Sequence, residues 1–485
     1  MTKSFRIIFA LFIMLSCFLS AVDLDLEGYF RVRGDTFRQL DLNDGMYANY
    51  RSYIDQRFRF NPTLIVTDNI LIKTQIDVLD NAFFGDSAES LATSSTPAVY
   101  AASSTDETPE AVSDIVATSL AFTEGQSSSF IYLKRAWAEI LFPVGYLKLG
   151  RQPSHFGLGI FENAGNGLDD NFGNTVDRIS FETGFSDYEF SIGYDKEVEI
   201  DDASLASNRY QAVGVDTSDD DTNRIFIQAG LDSEDRKLLA RISKKWGGAY
   251  DLSSWIYDVY AVYKKDWFKF SSEFLSAQGS LGQRDIDIYN YALRFEGLFK
   301  YLNIGFEHGC ASGTESGPSN TTVLGTLPFN RDYNISHILF EESLPGGAQA
   351  DGSDEDNENV LSAGRSGSSV SNAFYFRAFT DFKFGKYLRP GINIISALPY
   401  RSPFIGYDPD DVTNLGYASS KWYGIEYDIY FNIDQNENLS YGLLWGHFIP
   451  GGIFDEQQNF LYPIAGDTNT AEQAWTIQWN ATIRF

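Results

Sequence analysis

Alternation of apolar and polar residues limits the fold of this sequence more than any other feature. The last twelve residues alternate between apolar Trp475, Ile477, Trp479, Ala481, Ile483 and Phe485 and polar Thr476, Gln478, Asn480, Thr482 and Arg484. Because successive side chains of a β-strand point to opposite faces, this pattern predicts a strand with one apolar and one polar face. Similar segments recur about every 25 residues along the whole chain.

About eighteen such segments can be counted, and they predict an all-β fold. They start near residues 24, 51, 69, 129, 145, 175, 187, 222, 236, 253, 266, 286, 300, 371, 386, 420, 437 and 472. Short turns alternate with long connections, and the long ones span residues 80–128, 154–174, 196–221, 310–370, 398–419 and 449–471. This asymmetry predicts a transmembrane antiparallel β-barrel of about 18 strands, with short periplasmic turns and long extracellular loops. A closed barrel leaves no unpaired strand edge in lipid.

The N-terminus has the pattern of a secretory signal. Residues 1–21 combine a basic start, an apolar stretch and small residues at the end. We expect cleavage after Ser20 or Ala21, which leaves residues 22–485 as a single outer-membrane barrel. An alternative is a lipoprotein processing site at Cys17, but Met14 and Phe18 fit such a site poorly. No later stretch of 18 apolar residues predicts a transmembrane helix.

The chain is strongly acidic, with 66 Asp and Glu against 37 Lys and Arg and a net charge of −29. Such a field disfavours nucleic acid as a partner. Most of the excess negative charge lies in four predicted loop segments, 80–128, 195–223, 341–358 and 408–411. The predicted strands are therefore nearly neutral. Acidic loops can keep a surface soluble, or they can bridge through divalent cations to anionic lipid or polysaccharide, and the sequence leaves both readings open.

The polar faces of the predicted strands carry many arginines, which suit a lumen that receives carboxylates because the guanidinium is a permanently charged, planar donor. The predicted pore-lining and selectivity residues are Arg31, Arg33, Arg57, Arg59, Arg135, Glu139, Arg151, Arg178, Glu182, Arg241, Arg294, Arg377 and Arg389. An alternative is that cross-strand pairs of Arg with Asp or Glu stiffen the wall. Pairing of every arginine would remove anion selectivity.

The connection 154–174 is rich in Gly, Asn and Asp, and we expect it to fold inward and narrow the mouth of the barrel. Arg135 and Arg151 lie on the two strands before it, and Arg178 lies at the start of the next. The sequence therefore predicts that three cationic side chains converge beside this loop.

The sequence does not favour an enzyme. It has four histidines, no nucleophile motif and no metal-ligand spacing, so no metal and no cofactor are expected. Ser154 and His155 are adjacent, and neighbours in a strand point to opposite faces, so they cannot act as a catalytic pair there. The run Asp169-Asp170-Asn171 resembles a calcium loop but lacks the glutamate at its twelfth position.

Two segments resemble the alginate-export family of outer-membrane porins and its uncharacterised relatives. They are residues 135–181, with Arg135, Glu139, Gly150-Arg151-Gln152, Asp169 and Asp177-Arg178, and residues 426–456, with Gly446-His447-Phe448-Ile449-Pro450-Gly451. The resemblance implies an 18-stranded, monomeric barrel that passes anionic sugars through an arginine-lined constriction. The sharp motifs cover about 80 residues of the chain.

Two functions follow as hypotheses. The first is a porin of a Gram-negative-type outer membrane, through which small hydrophilic and anionic solutes such as sugar acids or oligosaccharides diffuse passively. The second is a surface adhesion or structural barrel that acts through its acidic loops. In either case the partners include outer-membrane lipid and the barrel-insertion machinery, for which Trp479, Ile483 and Phe485 resemble the terminal assembly signal.

Overall fold

The computed structural model describes residues 23–40, 42, 50–84, 131–198, 222–247, 251–282, 284–314, 323–341, 369–408, 411–461 and 470–485. The predicted leader, residues 1–21, lies outside these residues. So do large parts of the predicted loops 80–128, 196–221 and 310–370.

Twenty-one strands and one helix form in the described part of the chain. The strands are β1 (Asp23–Arg38), β2 (Tyr50–Thr67), β3 (Ile70–Phe83), β4 (Ile131–Phe142), β5 (Gly145–Pro153), β6 (Thr175–Phe185), β7 (Tyr188–Val198), β8 (Thr222–Ser233), β9 (Arg236–Gly247), β10 (Leu252–Lys265), β11 (Phe268–Leu281), β12 (Arg284–Leu298), β13 (Leu302–Ala311), β14 (Val323–Leu324), β15 (Ala373–Phe382), β16 (Leu388–Pro399), β17 (Phe404–Asp408), β18 (Asp411–Tyr417), β19 (Gly424–Asp434), β20 (Leu439–Pro450) and β21 (Ala474–Arg484). The helix is α1 (Gly452–Leu461). No helix in these residues is long and apolar enough to cross a membrane.

All strands except β14, β17 and β18 form one closed antiparallel barrel, which therefore has eighteen strands. Each barrel strand pairs with the next along the chain, and β1 closes the ring by pairing with β21. The short β14 lies parallel to β12, and β17 pairs only with β18. The predicted fold class is confirmed. The largest error in a predicted strand start is at β19. The sequence predicted a start near residue 420, but the strand begins at Gly424, after the buried Tyr423.

The connections differ at the two ends of the barrel, as the sequence predicted. At one end, here called the turn end, strands join through turns such as 143–144 and 186–187. At the other end, here called the loop end, the connections include residues 154–174 and the described residues 312–314, 323–341 and 369–372 between β13 and β15. The turn at residues 143–145 needs glycine, since Gly145 has a φ of +149° and a Cβ there would lie 2.3 Å from the Glu182 carbonyl oxygen.

The two faces of the wall differ in polarity. On β6, Arg178 and Ser180 are buried inside the barrel, whereas Ile179 between them is 58% exposed on the outside. On β21, Ile477, Trp479 and Ile483 likewise point outward. An apolar outer band and a polar interior are the arrangement that a barrel needs in a bilayer.

Aromatic residues of the last strand cover two glycines of the first and seal the closing seam. The backbone of Phe485 exchanges hydrogen bonds of 3.0 and 3.1 Å with Gly28, and its ring lies near Phe58 and Phe60. A Cβ on Gly34 would lie only 2.3 Å from the indole nitrogen of Trp479. The seam therefore depends on the contact between the Trp479 ring and the backbone of Gly34, which carries no side chain.

We predict that Gly34→Val weakens this seam because the new side chain displaces the Trp479 ring, at a cost of about 1–3 kcal/mol. The barrel of this variant should lose its compact gel mobility at a lower temperature than the wild type. Combining it with Trp479→Ala should restore part of the loss. Ala240→Val also creates a valine, at an exposed outward position on β9, and should have no effect. An equal loss in both single variants would contradict the seam argument.

Candidate functional site

The connection between β5 and β6, residues 154–174, lies inside the barrel and is called the inner loop below. Its backbone carbonyl oxygens accept hydrogen bonds from buried arginines of the wall. Arg57 donates to the Asp170 carbonyl at 2.6 Å and Arg59 to the Gly165 carbonyl at 3.2 Å. Arg31 donates to the Leu168 carbonyl and Arg135 to the Ala164 carbonyl. The loop thus folds inward, as its composition predicted.

Two glycines let the inner loop double back on itself. Gly165 has a φ of +64°, and a Cβ on it would lie 2.4 Å from the Gly173 Cα atom. Side chains at either position would separate the two backbone segments. The glycine content of the loop therefore sets its thickness inside the lumen.

Glu162 anchors the inner loop to the opposite part of the wall. Its carboxylate accepts hydrogen bonds from Ser154 at 2.6 Å and Arg241 at 2.7 Å, and also from Arg224. Burial alone would raise the pKa of the Glu162 carboxyl, but Arg224 and Arg241 outweigh burial and hold this pKa well below its usual value. Glu162 therefore stays ionised and binds both arginines at neutral pH.

Most wall arginines also form ion pairs with wall carboxylates. Arg59 binds Asp77 through two hydrogen bonds of 2.6 and 2.7 Å, and Arg178 binds Asp195 through bonds of 2.6 and 2.9 Å. Further pairs among the described residues are Arg31–Asp55, Arg33–Asp35, Arg33–Asp55, Arg57–Asp80, Arg224–Asp195, Arg224–Glu197, Arg294–Glu307, Arg377–Glu307 and Arg389–Asp434. The alternative prediction, in which arginines pair with Asp or Glu and stiffen the wall, therefore describes most of this wall.

Arg135 differs from these arginines. It is 1% exposed, and among the described residues it forms no ion pair with a carboxylate. Its donors meet neutral oxygens instead, with the Thr175 hydroxyl at 3.0 Å, the Asn174 carbonyl at 3.3 Å and the Asn166 side chain at 3.4 Å. Its positive charge is therefore not cancelled at close range within the described part of the chain.

The strand alternation places the predicted pore-lining residues on two different faces. The inward-facing ones are Arg31, Arg33, Arg57, Arg59, Arg135, Glu139, Arg178, Glu182, Arg241, Arg294, Arg377 and Arg389. The prediction for Arg151 is wrong. Its neighbour Gln152 is buried inside the barrel, whereas the Arg151 side chain is 52% exposed on the outer face and pairs there with Asp177 at 2.7 Å. Arg151 therefore does not converge with Arg135 and Arg178.

Glu139 and Glu182 do not pair with Arg135 and Arg178. Both glutamates lie on the same inward faces as these arginines but four residues nearer the turn end. Glu139 pairs there with Lys73 at 3.0 Å, and Glu182 pairs with Lys148 at 2.8 Å. The turn-end half of the lumen therefore has its own lysine–glutamate pairs.

Sequence reasoning missed a second inward segment, residues 323–341, here called the second inner segment. It belongs to the predicted external loop 310–370, yet Tyr333 donates to wall residue Glu307 at 2.8 Å. Its Asp332 accepts hydrogen bonds of 2.8 and 3.0 Å from the inner-loop amides of Asn171 and Phe172. The run Ile338-Leu339-Phe340 was an available signal, because apolar residues are unusual in an exposed loop.

This segment brings an apolar cluster into the loop end of the barrel. Ile338, Leu339 and Phe340 are buried against wall and loop residues, and the Phe340 ring lies 6.0 Å from the Tyr423 ring. Other members of the cluster are Ile160, Phe329, Ile335, Tyr375, Phe448, Ile453 and Phe454. The loop end is therefore packed on this side, while charged residues line the turn end.

No group of three or more His, Cys, Asp or Glu residues that could hold a metal ion occurs among the described residues. In the run that resembles a calcium loop, Asp170 accepts a hydrogen bond of 2.6 Å from the Gly167 amide. That contact is typical of a turn closed by its own side chain.

Comparisons with known proteins support the fold. No family model matches the chain, and no curated protein matches it, so the resemblance to the alginate-export family stays a prediction. A BenF-like porin from Pseudomonas fluorescens Pf-5 is similar in structure, with a TM-score of 0.51 at 10% identity over 96% of this chain and 98% of that one. OccK3 (OpdO) of Pseudomonas aeruginosa has a TM-score of 0.48 at 10% identity, over 95% and 96% of the two chains. An anion-selective porin from Comamonas acidovorans has a TM-score of 0.43 at 9% identity, over 96% and 100%.

Glu162→Gln should loosen the inner loop, because removing one partner of a buried ion cluster costs about 3–5 kcal/mol. We expect faster hydrogen exchange of the inner-loop amides. Since the Glu162 pKa is lowered, its anchoring is present above the ordinary pKa of 4.5 and is lost only as pH falls through the lower value. Wild-type protection should therefore persist at pH 4.5. Asp169→Asn is the control: its half-exposed carboxylate makes only long contacts, of 3.7 Å to Arg31 and 3.9 Å to Arg33, so its loss should loosen the loop much less. Equal exchange in the two variants would rule out Glu162 as the anchor.

Proposed function

We propose that this protein is an outer-membrane channel through which small hydrophilic solutes diffuse passively. The observation that carries the proposal is the inner loop, which buried arginines hold inside the closed barrel by its backbone. A fixed, charged narrowing of a polar lumen selects by size and charge and needs neither a cofactor nor an energy source. In this proposal the chain is exported by a cleaved signal peptide and works as a monomer in outer-membrane lipid.

We further propose anionic solutes such as sugar acids or oligosaccharides as the cargo. Arg135 supports this choice, because a guanidinium that meets only neutral oxygens attracts a passing carboxylate more strongly than one already paired. Arg135 is buried behind the inner loop and acts at a distance: at an effective dielectric of 20, two unit charges about 8 Å apart interact by about 2 kcal/mol. Arginines that are already paired with a carboxylate, such as Arg59, mainly stiffen the barrel wall and attract an anionic solute less.

The test is single-channel recording in a planar bilayer with a salt gradient. The wild type should show discrete conductance steps and a reversal potential on the anion side. Arg135→Gln combined with Arg178→Gln should move that potential severalfold toward cation permeability, and the change should shrink as salt rises. Arg151→Gln removes one positive charge from the outer face and should leave ion preference unchanged. If the double variant keeps the wild-type preference at low salt, these arginines are wall struts.

A second function, a surface adhesion or structural barrel, has its own support in the apolar cluster at the loop end. Ile338, Leu339 and Phe340 fill space that a wide diffusion path would use. Binding would then involve the acidic loops rather than the lumen. A wild-type protein that inserts into the bilayer without any conductance steps would favour this function over transport.

The outward aromatic residues of β21 also support a role in assembly, in which Trp479, Ile483 and Phe485 form the signal read by the insertion machinery. Phe485→Ala keeps the strand hydrogen bonds but removes the ring. We expect less inserted protein in cells, while protein refolded in detergent regains a barrel. An equal defect in both settings would assign Phe485 to seam stability alone.

A further inference from the structure

Two wall glutamates hold the two inward segments by the same device, a carboxylate that accepts hydrogen bonds from three consecutive backbone N–H groups. Glu273 on β11 binds the amides of residues 158, 159 and 160 of the inner loop at 2.5, 2.9 and 3.5 Å. Glu426 on β19 binds the amides of His337, Ile338 and Leu339 at 2.7, 2.9 and 2.6 Å. Three converging N–H groups form an anion-binding nest, so they favour an ionised carboxylate.

A second carboxyl group lies directly beside Glu426. Asp428 follows it by two residues on the same inward face, and both residues are fully buried at 0% exposure. Neither oxygen of Asp428 receives a hydrogen bond of normal geometry. The polar groups within reach are the Glu426 carboxyl and the Asn393 amide. Two carboxylates cannot hydrogen-bond to each other unless one of them carries a proton.

The surroundings supply little positive charge to stabilise Glu426 and Asp428 if both are ionised. Arg377 on β15 is the cation that acts on this pair, but its guanidinium also serves Glu307 at 3.6 Å and the Asn393 side chain at 3.2 Å. From β20 and β21 the pair is faced by Gly446 and Thr476, which do not titrate. His337 on the docked segment is buried, which lowers its pKa to about 4, so it is neutral above pH 5. On β19 itself, Tyr430 hydrogen-bonds to Asp381.

We propose that Glu426 and Asp428 bind a single proton between them and that this proton holds the second inner segment in the lumen. Asp428 donates the shared proton to Glu426, and Glu426 keeps the negative charge that the three amides require. Without the proton, two buried anions face each other next to one shared cation. The repulsion between the two carboxylates falls when the second inner segment leaves and water reaches both of them.

The direction of the pH dependence follows from the loss of the shared proton when the second inner segment is released. Release exposes Asp428 to water, where it loses its proton more easily than in the docked state. The docked state therefore binds more protons, and docking weakens as pH rises. This inference concerns the docking of residues 337–339 and does not depend on whether the barrel conducts solutes.

The test is hydrogen exchange of the purified full-length barrel between pH 5.5 and pH 9, with rates corrected for the intrinsic effect of pH. The protection of the amides of residues 337–339 should fall by up to tenfold per pH unit while the pair titrates. In Asp428→Asn the amide can donate permanently to Glu426, so protection should be high and independent of pH. Glu426→Gln should lose protection at every pH. Asp434→Asn, a lumen-facing and half-exposed position at the turn end, is the control and should behave like the wild type.

Two results would overturn the proposal. One is a wild-type protection profile that is flat over this pH range, or one whose slope survives in Asp428→Asn. The other is protection that depends on added Na⁺ or Ca²⁺ at constant pH, since a metal ion rather than a proton would then join the two carboxylates. Loss of conductance with an intact exchange profile would count against the channel function and leave the proton site standing.

Discussion

The structure depends on the requirement that backbone N–H and C=O groups in lipid pair with one another. A sheet can meet this requirement only by closing, and here the closure lies between β1 and β21, nearly the full length of the chain apart. The glycine–aromatic contacts at Gly28 and Gly34 let this joint close tightly. All other features of the wall, including its even strand number and alternating faces, follow from the closed ring.

Inside the ring the same requirement holds for the two inward segments, whose backbone groups are removed from bulk water. Charged side chains of the wall form hydrogen bonds with these backbone groups. Arginines of β1, β2 and β4 supply donors to inner-loop carbonyls, and Glu273 and Glu426 supply acceptors to amides of the inner loop and of the second inner segment. Bonds to charged groups are stronger than neutral ones, so irregular backbone can be held without a strand partner. The charged residues of the lumen thus hold the two inward segments in place.

The wall was predictable from the sequence because a strand's pattern is local. All eighteen strands follow from period-two alternation, and even the error at Arg151 was avoidable, since this residue is in phase with the outward Leu147 and Leu149. The second inner segment was not predictable in this way. Its position depends on Glu426, which lies 87 to 89 residues later in the chain, and no local pattern reports such a contact. Ion-pair partners such as Lys73 for Glu139 depend equally on strand register.

The wall arginines bind the inner loop mainly through carbonyl oxygens, which every amino acid supplies, with added contacts to the side chains of Asn166 and Asn171. The side chains of Ala164, Leu168 and Asp170 are therefore not what Arg135, Arg31 and Arg57 read. Of these, Ala164 is buried and Asp170 closes a turn with its side chain, so Leu168 is the position where a change leaves the docking contact in place and alters the surface that the loop presents. The barrel thus fixes the loop by its backbone and leaves the side chains that face the lumen free to diverge, in evolution or in the laboratory.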